Sequence, residues 1–138
     1  MTSAGYSGTP LAKKLGIIAG SQVHVIGAPA DYPDLVAPLP EGIVFPNKLS
    51  PTIDIVHLFV RERATLGHEL ERLRSGLRDD AVLWISWPKK ASKQVSDVDE
   101  QVVRDLALPL GFVDVKVCAI DATWSGLKLV VRKALRQK

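Results

Sequence analysis

Cysteine is nearly absent from this chain. Cys118 stands alone among 138 residues, which excludes an internal disulfide and suits a reducing compartment. Long apolar runs are missing too, since none approaches the roughly 20 residues a membrane-spanning helix needs. The start, Met1-Thr2-Ser3-Ala4-Gly5-Tyr6, lacks the charged-then-apolar pattern of a secretory signal. A cytoplasmic protein is expected. Charge of one sign is also lacking: 18 Lys and Arg against 15 Asp and Glu leave a net charge of +3. That excess permits an anionic partner but is too small to point to nucleic acid. No internal repeat or low-complexity tract interrupts the chain, and 46% hydrophobic with 24% charged residues is ordinary for a globular protein. One domain over residues 1–138 is expected.

Several chemical signatures are missing as well. No Walker-type phosphate loop and no Gly-x-Ser-x-Gly elbow occurs. His24 and His57 fall inside predicted strands and His68 on a predicted helix, without metal-ligand spacing, so no metal is expected. Cys118 lies mid-strand and reads as a buried, inert thiol. The arginines at 61, 63, 72, 74 and 78 are offset by Glu62, Glu69 and Glu71, the pattern of a solvated face.

What is present is an alternation of helix and strand. Thr9-Pro10 is a helix start and Gly16 its stop. Gln22 to Ile26 reads as a strand ending at Gly27, followed by a proline-rich stretch with a helical turn around Tyr32 to Val36. Ile43-Val44-Phe45 reads as a short strand. The β-branched run from Ile53 to Val60 predicts a strand buried on both faces. Leu66, Leu70, Leu73 and Leu77 then recur at helical spacing. A strand from Ala81 to Trp87 follows, then a polar loop and a helix striped by Val98, Val102, Leu106 and Leu110. Phe112 to Ile120 and Leu127 to Arg132 close the chain as two strands joined by residues 121–126. This order predicts a three-layer α/β sandwich whose mostly parallel sheet carries an antiparallel C-terminal strand.

Open sheets of this class bind ligands beyond the carboxyl ends of their strands. There the strand from Ala81 empties into Ser86-Trp87-Pro88-Lys89-Lys90, an abrupt switch to aromatic, proline and paired cations. The turn at Gly27, the turn holding Trp124 and Ser125, and the segment with Tyr6 and Ser7 are expected at the same rim. Tyr6, Ser7, Gly27, Ser86, Trp87, Lys89, Lys90, Trp124 and Ser125 therefore form the candidate ligand site. Aromatic walls, hydroxyls and paired cations suit a small anionic ligand or a protein partner.

The strand order resembles the class I S-adenosylmethionine-dependent methyltransferase fold, a Rossmann-like architecture, in reduced form. That resemblance implies a glycine-rich turn after the first strand and an acidic residue ending the second. Gly27 fits the turn. Ala28 and Pro29 add bulk where backbone should approach a ligand, and Phe45-Pro46-Asn47-Lys48 offers no carboxylate, although Asp31 or Asp34 can substitute. This disfavours S-adenosylmethionine and leaves the catalytic residues unassigned, with a divergent methyltransferase as the alternative. The segments Gly5-Tyr6-Ser7-Gly8, Pro10-Leu11-Ala12-Lys13-Lys14-Leu15-Gly16, Val56-His57-Leu58-Phe59, Ser86-Trp87-Pro88-Lys89-Lys90 and Trp124-Ser125-Gly126-Leu127-Lys128 together resemble a small bacterial family of unknown function.

Overall fold

A computed structural model describes residues 9–136. Among these residues five strands form one sheet: β1 (Val23–Ile26), β2 (Ile55–Phe59), β3 (Val82–Pro88), β4 (Phe112–Ala119) and β5 (Trp124–Val131). Their spatial order is β1-β2-β3-β5-β4. The first three are parallel, and β5 runs antiparallel to both β3 and β4. Among the described residues four α-helices flank the sheet: α1 (Leu11–Leu15), α2 (Tyr32–Val36), α3 (Arg63–Gly76) and α4 (Glu100–Ala107). Among the described residues no helix is long and apolar enough to cross a membrane.

Strand alternation divides the core between two faces. Val56, Leu58, Leu83, Ile85, Trp87, Leu127 and Leu129 pack against Leu66, Leu70 and Leu73 of α3 and Val103 and Ala107 of α4. Ile55, Phe59, Trp84 and Trp124 point the other way and meet Leu11 and Leu15 of α1 with Tyr32 and Val36 of α2. The leucines of α3 recur at i, i+4 and i+7, and burying each contributes about 1.5–3 kcal/mol. The expected three layers result, with every residue of β2 buried.

Between β1 and β2 the chain departs from expectation. Residues 43–45 are not a strand; only Val44 bridges Gln22, in parallel. Val44 accepts from the Val23 N–H and donates to the Ser21 carbonyl, but Pro46 has no N–H with which to extend the ladder. This remnant lies outside β1, whereas β2 lies inside it. The winding direction thus reverses at β1 and β2, which makes their carboxyl ends the switch-point crevice of the sheet.

The terminal hairpin also differs. β5 starts at Trp124, three residues earlier than predicted, because Asp121 Oδ1 accepts the N–H groups of Thr123 and Trp124 at 2.8 Å each and tightens the turn. Helix α1 starts after Pro10, its N-cap, and ends as expected at Gly16, with φ of 82°. Helix α4 begins only at Glu100, capped by Asp99, whose Oδ1 accepts from the Val102 N–H at 2.9 Å.

Candidate ligand site at the carboxyl rim

Gly27 ends β1 in an exposed, left-handed turn with φ of 70°. A Cβ at this position would sit 2.7 Å from the Phe59 carbonyl oxygen, so both the backbone conformation and the approach to β2 require glycine. Pro29 follows, its carbonyl accepting from the Tyr32 N–H at 3.0 Å. The turn leads directly into α2, where Asp31 at the N-cap and Asp34 are exposed.

Beneath this turn lies a buried polar chain that crosses three elements. Tyr32 Oη is 2.9 Å from His57 Nδ1, and His57 Nε2 is 2.7 Å from Ser86 Oγ. Burial pushes the His57 imidazole down to about 3 and the Tyr32 phenol well above its ordinary value. The ring is therefore neutral, with one nitrogen donating and the other accepting. A serine beside a histidine suggests nucleophilic chemistry, but Ser86 and His57 are 0% exposed and no substrate reaches them. The chain tethers α2 to β2 and β3. It also satisfies its members: no buried side-chain nitrogen or oxygen among the described residues lacks a partner.

Aromatic rings stack outward from this tether. Phe59 lies 4.3 Å from the His57 ring and 5.0 Å from Trp124, edge to face, and Tyr32 packs on both His57 and Phe59. The Arg61 guanidinium carbon sits 5.0 Å above the Trp124 ring, and its Nε donates to Gln94 Oε1 at 2.9 Å. The sequence groups Arg61 with a solvated helix face. Its position two residues past the end of a buried strand is the signal that places it at the rim instead.

The predicted site residues separate into groups. Gly27, Lys89, Lys90 and Trp124 all reach the carboxyl rim. Lys89 is engaged there: its Nζ donates to the Asp121 carbonyl at 2.7 Å and its N–H to the Thr123 carbonyl at 2.8 Å, which ties β3 to the hairpin turn. Lys90 is exposed and opens a short 3-10 turn, Lys90–Ser92. Ser86 lies below the rim in the buried chain. Trp87, 6% exposed, faces the α3 and α4 side, and Ser125 is its half-buried register partner on β5. Tyr6 and Ser7 lie outside the described residues.

Beside the rim, Arg61, Glu62, Val95, Ser96 and Asp97 line an open cleft of about 670 Å³. Asp97 Oδ1 accepts from the Arg63 N–H at 2.6 Å, so its carboxylate steadies the start of α3. Among the described residues no group of three or more His, Cys, Asp or Glu is placed to hold a metal ion.

No protein-family model matches the chain, and no curated protein matches it. Solved structures do. A methyltransferase dependent on S-adenosylmethionine from Aquifex aeolicus is similar at 15% identity and a TM-score of 0.59, over 88% of this chain and 87% of that one. A putative type 11 methyltransferase from Sulfolobus solfataricus is similar at 12% identity and a TM-score of 0.59, over 93% of each chain. The N-methyltransferase NodS from Bradyrhizobium japonicum WM9 gives a TM-score of 0.59 at 12% identity, over 88% of this chain and 92% of that one. These likenesses establish the architecture: a mixed open sheet with flanking helices, methyltransferase-like within the Rossmann-like α/β class.

Proposed function

We propose that the chain is a divergent S-adenosylmethionine-dependent methyltransferase that binds its cofactor at the carboxyl rim. The observation that carries this reading is Gly27, an exposed glycine in a left-handed turn at the switch point of a methyltransferase-like sheet. The residues present fit an adenosine-type ligand in two respects. The exposed turn leaves its backbone open to a close approach, and the exposed carboxylates of Asp31 and Asp34 suit ribose hydroxyls. When bound, the cofactor supplies a methyl group activated on a sulfonium. Arg61, held on Trp124, and Lys90 give the rim a cationic edge that favours an anionic methyl acceptor. His57 takes no part as an acid or base, because it is fully buried and both its ring nitrogens are engaged by Tyr32 and Ser86. One domain over residues 1–138 and a cytoplasmic location belong to the same proposal.

Calorimetric titration with S-adenosylmethionine and with its demethylated product tests this reading. Saturable binding weakened by Asp31→Asn or Asp34→Asn supports it, and flat titrations at millimolar concentration remove it. A second reading, a non-enzymatic rim that binds a small anion or a protein partner, is favoured by Pro29, which offers no N–H, and by the Phe59 carbonyl beside Gly27. It predicts flat cofactor titrations together with thermal stabilisation by an anion. Arg61→Ala and Lys90→Ala then abolish that stabilisation.

A further inference from the structure

The opposite edge of the sheet carries charges arranged at a cost. Strand β4 pairs with β5 through Asp114 opposite Leu129 and then Lys116 opposite Lys128, so Val115 is an extra residue in the ladder. That bulge reverses the alternation of faces. Asp114 points to the α4 side, where its Oδ2 accepts from Arg104 Nε at 2.8 Å. Lys116, two residues on, is turned to the other face and stands directly across from Lys128. Like charges in directly opposed positions destabilise a hairpin. Among the described residues neither lysine side chain has a hydrogen-bond or ion-pair partner.

On β4 and β5 this face also carries Cys118 opposite Gly126, and neither is acidic. Lys14 of α1 joins the cationic group, since both it and Lys116 act electrostatically on the Cys118 thiol. A lysine on an edge strand commonly serves to block strand pairing. That explanation suffices for Lys116 but not for Lys128, which lies on the interior strand β5.

Lys128 also borders a cleft of about 430 Å³ with Leu15, Ile18, Val82, Arg78 and Asp80. This volume lies in the range of small-molecule sites. Arg78 holds the acids of the far wall, with Nε donating to Asp80 and Nη2 to Asp54 at 2.7 Å each. Burial works against ionisation of Asp54, yet the Gln22 N–H and Arg78 hold its carboxyl below the usual range. Lys128 borders the cleft beside the apolar surface of Leu15, Ile18 and Val82, and Lys116 stands across from it on β4, outside the lining.

We propose that Lys116 and Lys128, with this cleft, bind the phosphate group of a small phosphorylated molecule whose apolar part lies against Leu15, Ile18 and Val82. A phosphate monoester carries about −1.5 to −2 charges at neutral pH, which matches two ammonium groups where one carboxylate does not. The cleft opens at the amino ends of β2 and β3, the opposite end of the strands from Gly27, and stands independently of the cofactor reading.

The test is NMR titration of the full chain with phenyl phosphate, inorganic phosphate and phenol, repeated on Lys116→Gln and Lys128→Gln. Phenyl phosphate should shift resonances of Leu15, Ile18 and Lys128 saturably, with inorganic phosphate weaker and phenol inert. Each substitution should weaken binding by about tenfold, the loss of one charge-assisted bond. Each should also raise the melting temperature of the free protein by roughly 1–4 °C, because the repulsion is relieved. The proposal is overturned if phenyl phosphate gives no saturable shift at tens of millimolar, or if Lys128→Gln leaves its affinity unchanged. It is likewise overturned if a single-stranded oligonucleotide binds these lysines while phenyl phosphate does not, since the face is then a polyanion surface.

Discussion

Acidification is the sharpest probe of the buried Tyr32–His57–Ser86 chain. His57 is 0% exposed, and its folded-state value lies near 3 against an ordinary 6.5. Between those values the unfolded chain binds a proton that the native protein excludes, so stability rises with pH through that window. The contribution is fully present above pH 6.5 and is lost as pH falls from 6.5 towards 3. Each unit corresponds to about 1.4 kcal/mol, so lowering the pH from 7 to 4.5 removes on the order of 3 kcal/mol. That is a large part of a typical domain stability of about 5–15 kcal/mol. Asp54 and Asp114, whose folded values lie below the usual carboxylate value of 3.8, lose their contribution only at lower pH, which separates them from His57. Urea unfolding followed by tryptophan fluorescence across this window measures the slope. In His57→Gln the slope should largely vanish, whatever its baseline stability. Imidazole NMR of the unsubstituted protein supplies a second readout, with His57 expected to stay neutral until the protein unfolds. A midpoint unchanged between pH 7 and 4.5, or a His57 signal titrating near 6.5 in the folded state, would refute the reasoning.

Three further outcomes follow from the same geometry. Gly27→Ala should destabilise the protein by about 2–4 kcal/mol, combining left-handed strain with a clash against a backbone oxygen that cannot move aside; a loss under about 1 kcal/mol in urea unfolding contradicts this. Tyr32→Phe strands His57 Nδ1 in the core and should cost about 1–3 kcal/mol, whereas Tyr32→Phe with His57→Leu, which leaves only the Ser86 hydroxyl to be satisfied, should recover part of it in a double-mutant cycle. Asp99→Ala removes the cap of α4 and should cost about 1 kcal/mol, with faster amide exchange confined to the first turn of that helix.

The division between sequence and tertiary structure follows the range of the interactions. Periodicity is local and survives in the sequence: the leucine stripe of α3, the doubly buried run of β2 and the glycine stop of α1 could all be read before any contact was known. So could the layered α/β class and the antiparallel end of the sheet, because connection rules allow few other ways to arrange those elements. The short strand expected at residues 43–45 failed because its existence depends on a neighbour. Val44 exchanges backbone hydrogen bonds only with Val23 of β1 and with Ser21 just before it, and Pro46 ends the ladder.

The candidate site was less legible for the same reason. Ser86, Trp87, Lys89 and Lys90 are adjacent in the chain, yet strand alternation sends Ser86 into one face and Trp87 into the other, and Lys89 is drawn into the hairpin turn. His57, which the sequence places inside a strand without metal-ligand spacing, is the centre of a chain reaching 25 residues back to Tyr32 and 29 forward to Ser86. The pairing of Lys116 with Lys128 is hidden more deeply, because a single bulged residue decides which face Lys116 occupies. The sequence alone determined most of the segments that are helix and strand, residues 43–45 excepted, and the class of sheet they build. The tertiary structure decided which side chains meet, since that depends on register, and one residue of register turns a side chain from one face of a sheet to the other.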